Sequence, residues 1–182
     1  MKNVKMKKLL LHVCCGPCAI YAAQKLREDY VVSLFFYNPN IYPAEEYYQR
    51  FAAVKKWAER AGLELIEGLF NQADWFESVQ GLEREPEGGA RCPLCFQLRL
   101  NEACRYAQNN GFDAVASTLT SGRNKKAAII NPIGVQAASQ HGLAFIEADW
   151  KKQGGQEQSC RLAKAEEMYR QHYCGCQFSL NR

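Results

Sequence analysis

No apolar run in this chain is long enough to span a bilayer. The basic start, Met1 to Lys8, leads into Leu9-Leu10-Leu11, but the apolar stretch stops at His12 and is too short for the core of a secretory leader. There is no internal repeat and no low-complexity tract, so neither a solenoid nor a disordered spacer is expected. Charge of one sign is not in large excess. A formal net charge of +4 permits a nucleic-acid partner without demanding one. With 47% hydrophobic and 23% charged residues, the 182-residue chain reads as a single globular domain, 1–182.

Cysteine, by contrast, is abundant. Seven of the nine cysteines fall in three clusters: Cys14-Cys15-Gly16-Pro17-Cys18, Cys92-Pro93-Leu94-Cys95 and Cys174-Gly175-Cys176. A secreted disulfide framework is usually smaller and follows a leader. The expected compartment is therefore the cytoplasm, where thiols stay reduced and clustered cysteines serve metals or catalysis. Cys92-x-x-Cys95 at a helix start lets two thiolates converge where the helix N-terminus favours negative charge. Cys14 and Cys15 can converge with them at a strand-to-helix turn. Four such thiolates suit a [4Fe–4S] cluster or a closed zinc site, and the residues alone leave both open. Cys15-Gly16-Pro17-Cys18 also matches the thioredoxin redox motif, but His12-Val13-Cys14 stands where thioredoxins carry Trp. Cys174-Gly175-Cys176 can close a strained, easily reduced disulfide or can bind metal. Cys104 and Cys160 stand alone and are expected to do no more than pack.

Strand and helix patterns alternate along the chain. Strands are predicted over 7–13, 31–37, 63–68, 113–117 and 143–147. Helices are predicted from Pro17 to about 29, from Pro43 through 61 with Gly62 ending it, over 75–82, from Pro93 to 110, from about 125 to 141, and from a Ser159 cap to about 172. The segments 85–89 and 153–156 read as a flexible turn and a mobile linker. Alternating βα units imply an α/β fold with a parallel sheet of about five strands and helices on both faces. Ligands of such sheets bind beyond the carboxyl ends of the strands. The first cysteine cluster, Asn38-Pro39-Asn40, the 117–123 loop and Asp149 all follow strands, so they are expected on one face.

Other residues carry two readings each. His12 reads first as a satisfied core histidine and second as a ligand. The 117–121 hydroxyls, with Arg123, Lys125 and Lys126, suit a phosphate or an ordinary βα loop. Tyr169, Arg170, His172 and Tyr173 suit stacking on unpaired bases or helix packing. Tyr42, Tyr47 and Tyr48 read as helix packing. Asp149, His172 and Tyr173 are positional candidates for a general acid.

Taken together, His12-Val13-Cys14-Cys15-Gly16-Pro17-Cys18, Tyr37-Asn38-Pro39-Asn40-Ile41, Arg91-Cys92-Pro93-Leu94-Cys95-Phe96, Thr118-Leu119-Thr120 and Tyr169-Arg170-Gln171-His172-Tyr173-Cys174-Gly175-Cys176 resemble the QueH-type epoxyqueuosine reductases, in order, over nearly the whole chain. The resemblance implies a HUP-type (Rossmann-like) domain that reduces epoxyqueuosine to queuosine at the wobble position of tRNA anticodons, without cobalamin. It implies an iron–sulfur oxidoreductase whose partners are tRNA and an electron donor the sequence does not identify. On this chain it makes Cys14, Cys15, Cys92 and Cys95 cluster ligands and Cys174 and Cys176 a redox-active pair. Cys18 becomes a ligand for a second, mononuclear iron. Reduction of an epoxide to an alkene needs two electrons. The Cys174/Cys176 pair would supply them by closing a disulfide, or they would enter through the cluster with the pair as ligands. Two segments depart from the family pattern. Gln158-Ser159-Cys160-Arg161 stands where an Arg-Ser pair and a Glu are usual, and Ser121-Gly122-Arg123 stands where Ser-Pro is common. Three other readings remain. A zinc-stabilised RNA-binding module and a thioredoxin-like oxidoreductase lack the reductase activity. An ATP-using tRNA thiolation enzyme needs a Ser-Gly-Gly-x-Asp-Ser loop where this chain has Cys-Cys-Gly-Pro-Cys.

Overall fold

Leu9, Leu10 and Leu11 are fully buried because the strand that carries them is the middle of a sheet. The computed structural model describes residues 6–180, so the basic start at 1–5 read above lies outside the described residues. The strands are β1 (Lys7–His12), β2 (Tyr30–Phe36), β3 (Glu64–Glu67), β4 (Ala114–Ser117) and β5 (Ala144–Phe145). They pair in parallel in the order β3-β2-β1-β4-β5. The helices are α1 (Gly16–Leu26), α2 (Ala44–Ala61), α3 (Gln72–Ser78), α4 (Arg91–Asn109), α5 (Ala127–Gln140) and α6 (Gly155–Ala165). No helix among the described residues is long and apolar enough to cross a membrane.

The period of two along β1 sends its side chains to two cores. Leu9, Leu11 and Val13 pack with Ala19, Val54 and Trp57 from α1 and α2. Leu10 packs with Phe96, Leu100 and Cys104 from α4 and with Ile130 and Ala137 from α5. Helices thus cover both faces, as the alternating pattern predicts, and Cys104 is the buried apolar residue expected. Strand order reverses between β1 and β4, which opens a crevice at their carboxyl ends.

His12 closes the base of that crevice. Its Nε2–H donates to the Tyr37 carbonyl (3.1 Å), and its Nδ1 accepts from the Ser117 hydroxyl (3.0 Å). Burial, aided by the Arg99 charge, lowers its pKa to about 3, so the ring stays neutral and ties β1 to β2 and β4. It is a satisfied core histidine.

Several expected boundaries shift. The short helix starts at Gln72 because Asn71 caps it, accepting from the Ala73 N–H at 3.1 Å. β5 ends after two residues because the Ser117 carbonyl at the end of β4 accepts the Trp150 indole N–H (2.8 Å) rather than another strand N–H. The last helix begins at Gly155, not Ser159, and ends at Ala165, not near 172. A left-handed Gly154 starts it, and Gly155 packs against the Trp150 carbonyl, where a Cβ would lie at 2.2 Å. Glu167, at φ 49°, turns the chain out of the helix. The 153–156 linker is therefore the start of α6. The 85–89 turn is held by Arg91, whose Nη1 donates to the carbonyls of Leu82, Glu83 and Glu85. Tyr47 packs as expected, stacked on Phe70 at 3.8 Å, but Tyr42 and Tyr48 are exposed.

Replacing His12 with Leu takes the donor from the buried Tyr37 carbonyl and the acceptor from the Ser117 hydroxyl proton, although Ser117 Oγ still accepts the Leu119 N–H. We expect a loss of about 2 kcal/mol or more in urea unfolding, against less than about 1 kcal/mol for an exposed control such as Val31→Thr.

Candidate metal centre

The turn between β1 and α1 is where the first thiols meet. The Val13 N–H donates to the Phe35 carbonyl (2.9 Å), and the Val13 carbonyl accepts from Asn38 Nδ2 (3.0 Å). Cys15 is extended at the N-cap of α1, with Pro17 in the first turn. This bend gathers Cys14, Cys15 and Cys18, whose Sγ atoms all lie within 4.8 Å of one another. Hydrogen bonds from the Cys15 and Cys18 thiols hold the Cys14 pKa well below the ordinary thiol value. In return, donating to Cys14 drives Cys15 up to about 12 and Cys18 well upward. The three sulfurs thus favour negative charge at Cys14 over its neighbours. A metal–sulfur bond of about 2.3 Å gives a tetrahedral edge of about 3.8 Å, so the nest is close to the spacing a metal requires. The N-terminus of α1 adds a partial positive charge.

Cys92 and Cys95 lie on the first turns of α4, outside that 4.8 Å group. Cys92 Sγ accepts the Gly88 N–H at 3.1 Å. Cys95 is buried beside Trp75, Val79 and Cys176. Burial raises both thiols, and the nearby Cys174 charge adds to it at each. Two N–H donors at this end, Trp75 Nε1 and Arg91 Nη2, are buried with no oxygen or nitrogen acceptor, and the Trp75 indole instead favours the charged form of the Cys95 sulfur. Orphaned donors beside clustered thiols are what an anionic sulfur-bound group would satisfy. The chemistry of the residues present therefore fits a thiolate-held metal or iron–sulfur centre.

The Cys174-Gly175-Cys176 tail is fixed from α2. Arg50 is 1% exposed; its Nη1 and Nη2 donate to the carbonyls of Cys174 and Tyr173, both at 3.1 Å. Its Nε donates to Glu46 Oε1 (2.7 Å), and the second Glu46 oxygen accepts from the Tyr169 hydroxyl (2.7 Å). The Gly175 carbonyl accepts the Tyr42 N–H (2.8 Å), and the Tyr173 hydroxyl donates to the Tyr42 carbonyl. Gly175 has φ 124°, and a Cβ there would lie 3.2 Å from Arg50 Nη1 and from Ile41 Cγ1. Only glycine fits both the dihedral and the space. The two thiols part company: Cys174 lines the crevice, whereas Cys176 is buried beside Ser179. All nine cysteines are free.

The crevice is a cavity of about 490 Å³, lined by Cys14, Cys18 and Cys174 and by Arg123, Lys125 and Arg170. This volume is in the range of small-ligand sites. Several expected roles change in its light. The Ser117 hydroxyl is committed to His12, and Thr118 Oγ1 lies 4.0 Å from Cys14 Sγ, so only Thr118 faces the thiols. Lys126 lines a separate groove beside Cys92. Tyr169 and Tyr173 lie beyond α6, and their hydroxyls anchor the tail. Burial and Glu46 push Tyr173 up to about 12, so it stays neutral. Asp149 does not line the cavity. Lys151, 3.1 Å away, outweighs its burial and holds its carboxyl below the ordinary value. Cys160 is exposed at the cavity edge, 3.7 Å from Arg170 Nη2, rather than packed, because α6 starts earlier than expected. The residues that sequence reasoning missed are three arginines, Arg50, Arg91 and Arg99, each 1% exposed. Arg99 donates to Asn38 Oδ1, bracing the turn before Cys14. Their signals were local: Arg99 lies four residues after Cys95 on the same helix face, and Glu46–Arg50 is an i,i+4 pair.

A family model described as epoxyqueuosine reductase QueH matches residues 9–182. The chain is 40% identical to the epoxyqueuosine reductase QueH of Acinetobacter baylyi, over 95% of this chain and 80% of that one. It is 33% identical to the protein of the same name from Thermotoga maritima, over 96% and 91%. Among solved structures it is similar in fold to the U34-tRNA thiolase NcsA from Methanococcus maripaludis with its [4Fe-4S] cluster. That likeness has a TM-score of 0.58 at 13% identity and covers 91% of this chain but only 58% of the thiolase.

Arg50→Met removes the clamp and leaves Glu46 without its cation. We expect a loss of about 3 kcal/mol in stability. Hydrogen exchange at the Tyr42 amide should accelerate more than that at Leu10 in the central strand. Equal acceleration at both sites would mean that Arg50 supports the fold as a whole and not the tail.

Proposed function

The chain belongs to the epoxyqueuosine reductase QueH family, and we propose that it carries that activity, reducing epoxyqueuosine to queuosine at the wobble position of a tRNA anticodon. The observation that carries this reading is the meeting of Cys14, Cys18 and Cys174 on one cavity at the β1/β4 switch point. In this reading Cys14 and Cys15, with Cys92 and Cys95, hold a [4Fe–4S] cluster. Cys18, drawn into the first nest, holds a second, mononuclear iron. The iron centre supplies redox and Lewis-acid chemistry when bound.

The chain's own residues do the rest. The N-termini of α1 and α4, with Arg99, favour charged sulfur. Arg50 sets where Cys174 stands. Cys174 and Cys176 are the redox-active pair. Because Cys174 faces the cavity and Cys176 is buried, an outside reductant meets Cys174 first. A base in a folded anticodon loop must leave its stack to enter a cavity of this size. Arg123 and Arg170 at the wall offer charge to the tRNA backbone.

Anaerobically purified protein should contain about four or more irons per chain with matching sulfide. Serine at Cys14, Cys15, Cys92 or Cys95 should lower the iron content. Serine at Cys174 or Cys176 should abolish turnover with iron retained. Zinc without sulfide, or full turnover by the Cys174→Ser variant, would contradict the assignment.

A further inference from the structure

The geometry points to Lys125 as the catalytic cation that meets the epoxide oxygen as its C–O bonds break. This inference rests on the proposed reductase activity. Among the described residues, the other cations near the cavity are engaged elsewhere or exposed at its rim, and the unpartnered Ser121 hydroxyl offers only a neutral donor. Arg50 is committed to Glu46 and the tail carbonyls, and Arg99 to Asn38. His12 is neutral between Ser117 and Tyr37, and the Tyr173 hydroxyl is taken by Tyr42. Arg123, Arg170 and His172 are exposed at the rim. Lys125 lines the cavity wall, and no oxygen among the described residues accepts from its ammonium. It shares that wall with Cys14, Cys18 and Cys174, so its cation borders the same space as the sulfurs of two cysteine groups.

The loop is built to aim it. Lys151 Nζ donates to the carbonyls of Thr120 (2.5 Å) and Lys125 (2.8 Å), and the Lys125 N–H donates to the Gly122 carbonyl (3.0 Å). The lysine stem lies across Gly122, where a Cβ would sit 2.9 Å from Lys125 Cδ and 3.2 Å from Cγ.

The reaction breaks both C–O bonds of the epoxide, forms a C=C bond and releases water, taking two electrons and two protons. The electrons come from an external reductant, dithionite in the assay below. Lys125 supplies none. Its N–H donates a hydrogen bond to the oxygen, then one proton as negative charge develops. An oxygen leaving as hydroxide is more basic than the amine, so that transfer runs downhill. Water in the open cavity returns the proton to Lys125 and supplies the second one to the oxygen.

The test uses reconstituted holoenzyme, dithionite and tRNA bearing epoxyqueuosine. Lys125→Met should slow single turnover about 100-fold, with iron, sulfide and tRNA affinity unchanged, and Lys125→Arg should recover about tenfold of the loss. Loss of a cation near anionic sulfur should also lower the reduction potential of the centre in Lys125→Met, with recovery in Lys125→Arg. Gly122→Ala, which keeps the lysine but displaces its stem, should slow turnover without iron loss. The proposal is overturned if Lys125→Met turns over within about threefold of the parent chain. It is also overturned if the loss tracks iron content in all three variants, or if it lies in tRNA affinity with a shallower salt dependence, the mark of a phosphate contact. A parent chain that never turns over defeats the reductase reading itself.

Discussion

Sulfurs that must become anionic in a buried crevice need buried positive charge around them, and the rest of this structure depends on how that charge is supplied. Isolated ions are costly to take out of water. The fold answers with three cations, each held by a different means. Arg99 is held against Asn38, Arg50 is paired with Glu46, and Lys125 is laid across Gly122. Helix N-termini at α1 and α4 add partial charge at the same edge. Among the three clustered thiols, hydrogen bonds from Cys15 and Cys18 draw the Cys14 pKa down and raise their own in return, so the group favours charge at Cys14.

The sheet makes this arrangement possible. β1 and β4 end side by side where strand order reverses, so residues about a hundred positions apart come together at one opening. The neutral His12 bridges to Ser117 and Tyr37 and keeps that opening in register. The C-terminal tail is then laid across it and held from α2 and the Asn38–Tyr42 loop, not from the sheet. The cavity therefore takes its walls from the β1–α1 turn, the 118–125 loop, α6 and the tail.

Much of this was legible in the sequence. The parallel sheet, the helices on both faces and the place of the first cysteine cluster just after β1 followed from alternation of periods and from motif spacing. Two kinds of feature were not. Boundaries such as the start of α6 at Gly155 depend on a left-handed Gly154 and on the closeness of the Trp150 carbonyl, which spacing does not reveal. Roles such as those of Arg50 and Arg99 depend on burial, and an arginine in an amphipathic pattern looks the same whether it faces water or a thiol. Cys18 shows the same limit. Its spacing matches a thioredoxin pair, but in space it joins Cys14 and Cys15 as a group of three.

The central claim is that this cysteine-lined cavity removes an oxygen from a tRNA base. It is tested most directly by incubating the reduced, iron-loaded protein with tRNA carrying epoxyqueuosine and analysing the nucleosides by mass spectrometry. The account predicts that epoxyqueuosine disappears and a nucleoside lighter by one oxygen, queuosine, appears. Unchanged epoxyqueuosine in the presence of an intact, reducible centre would contradict it.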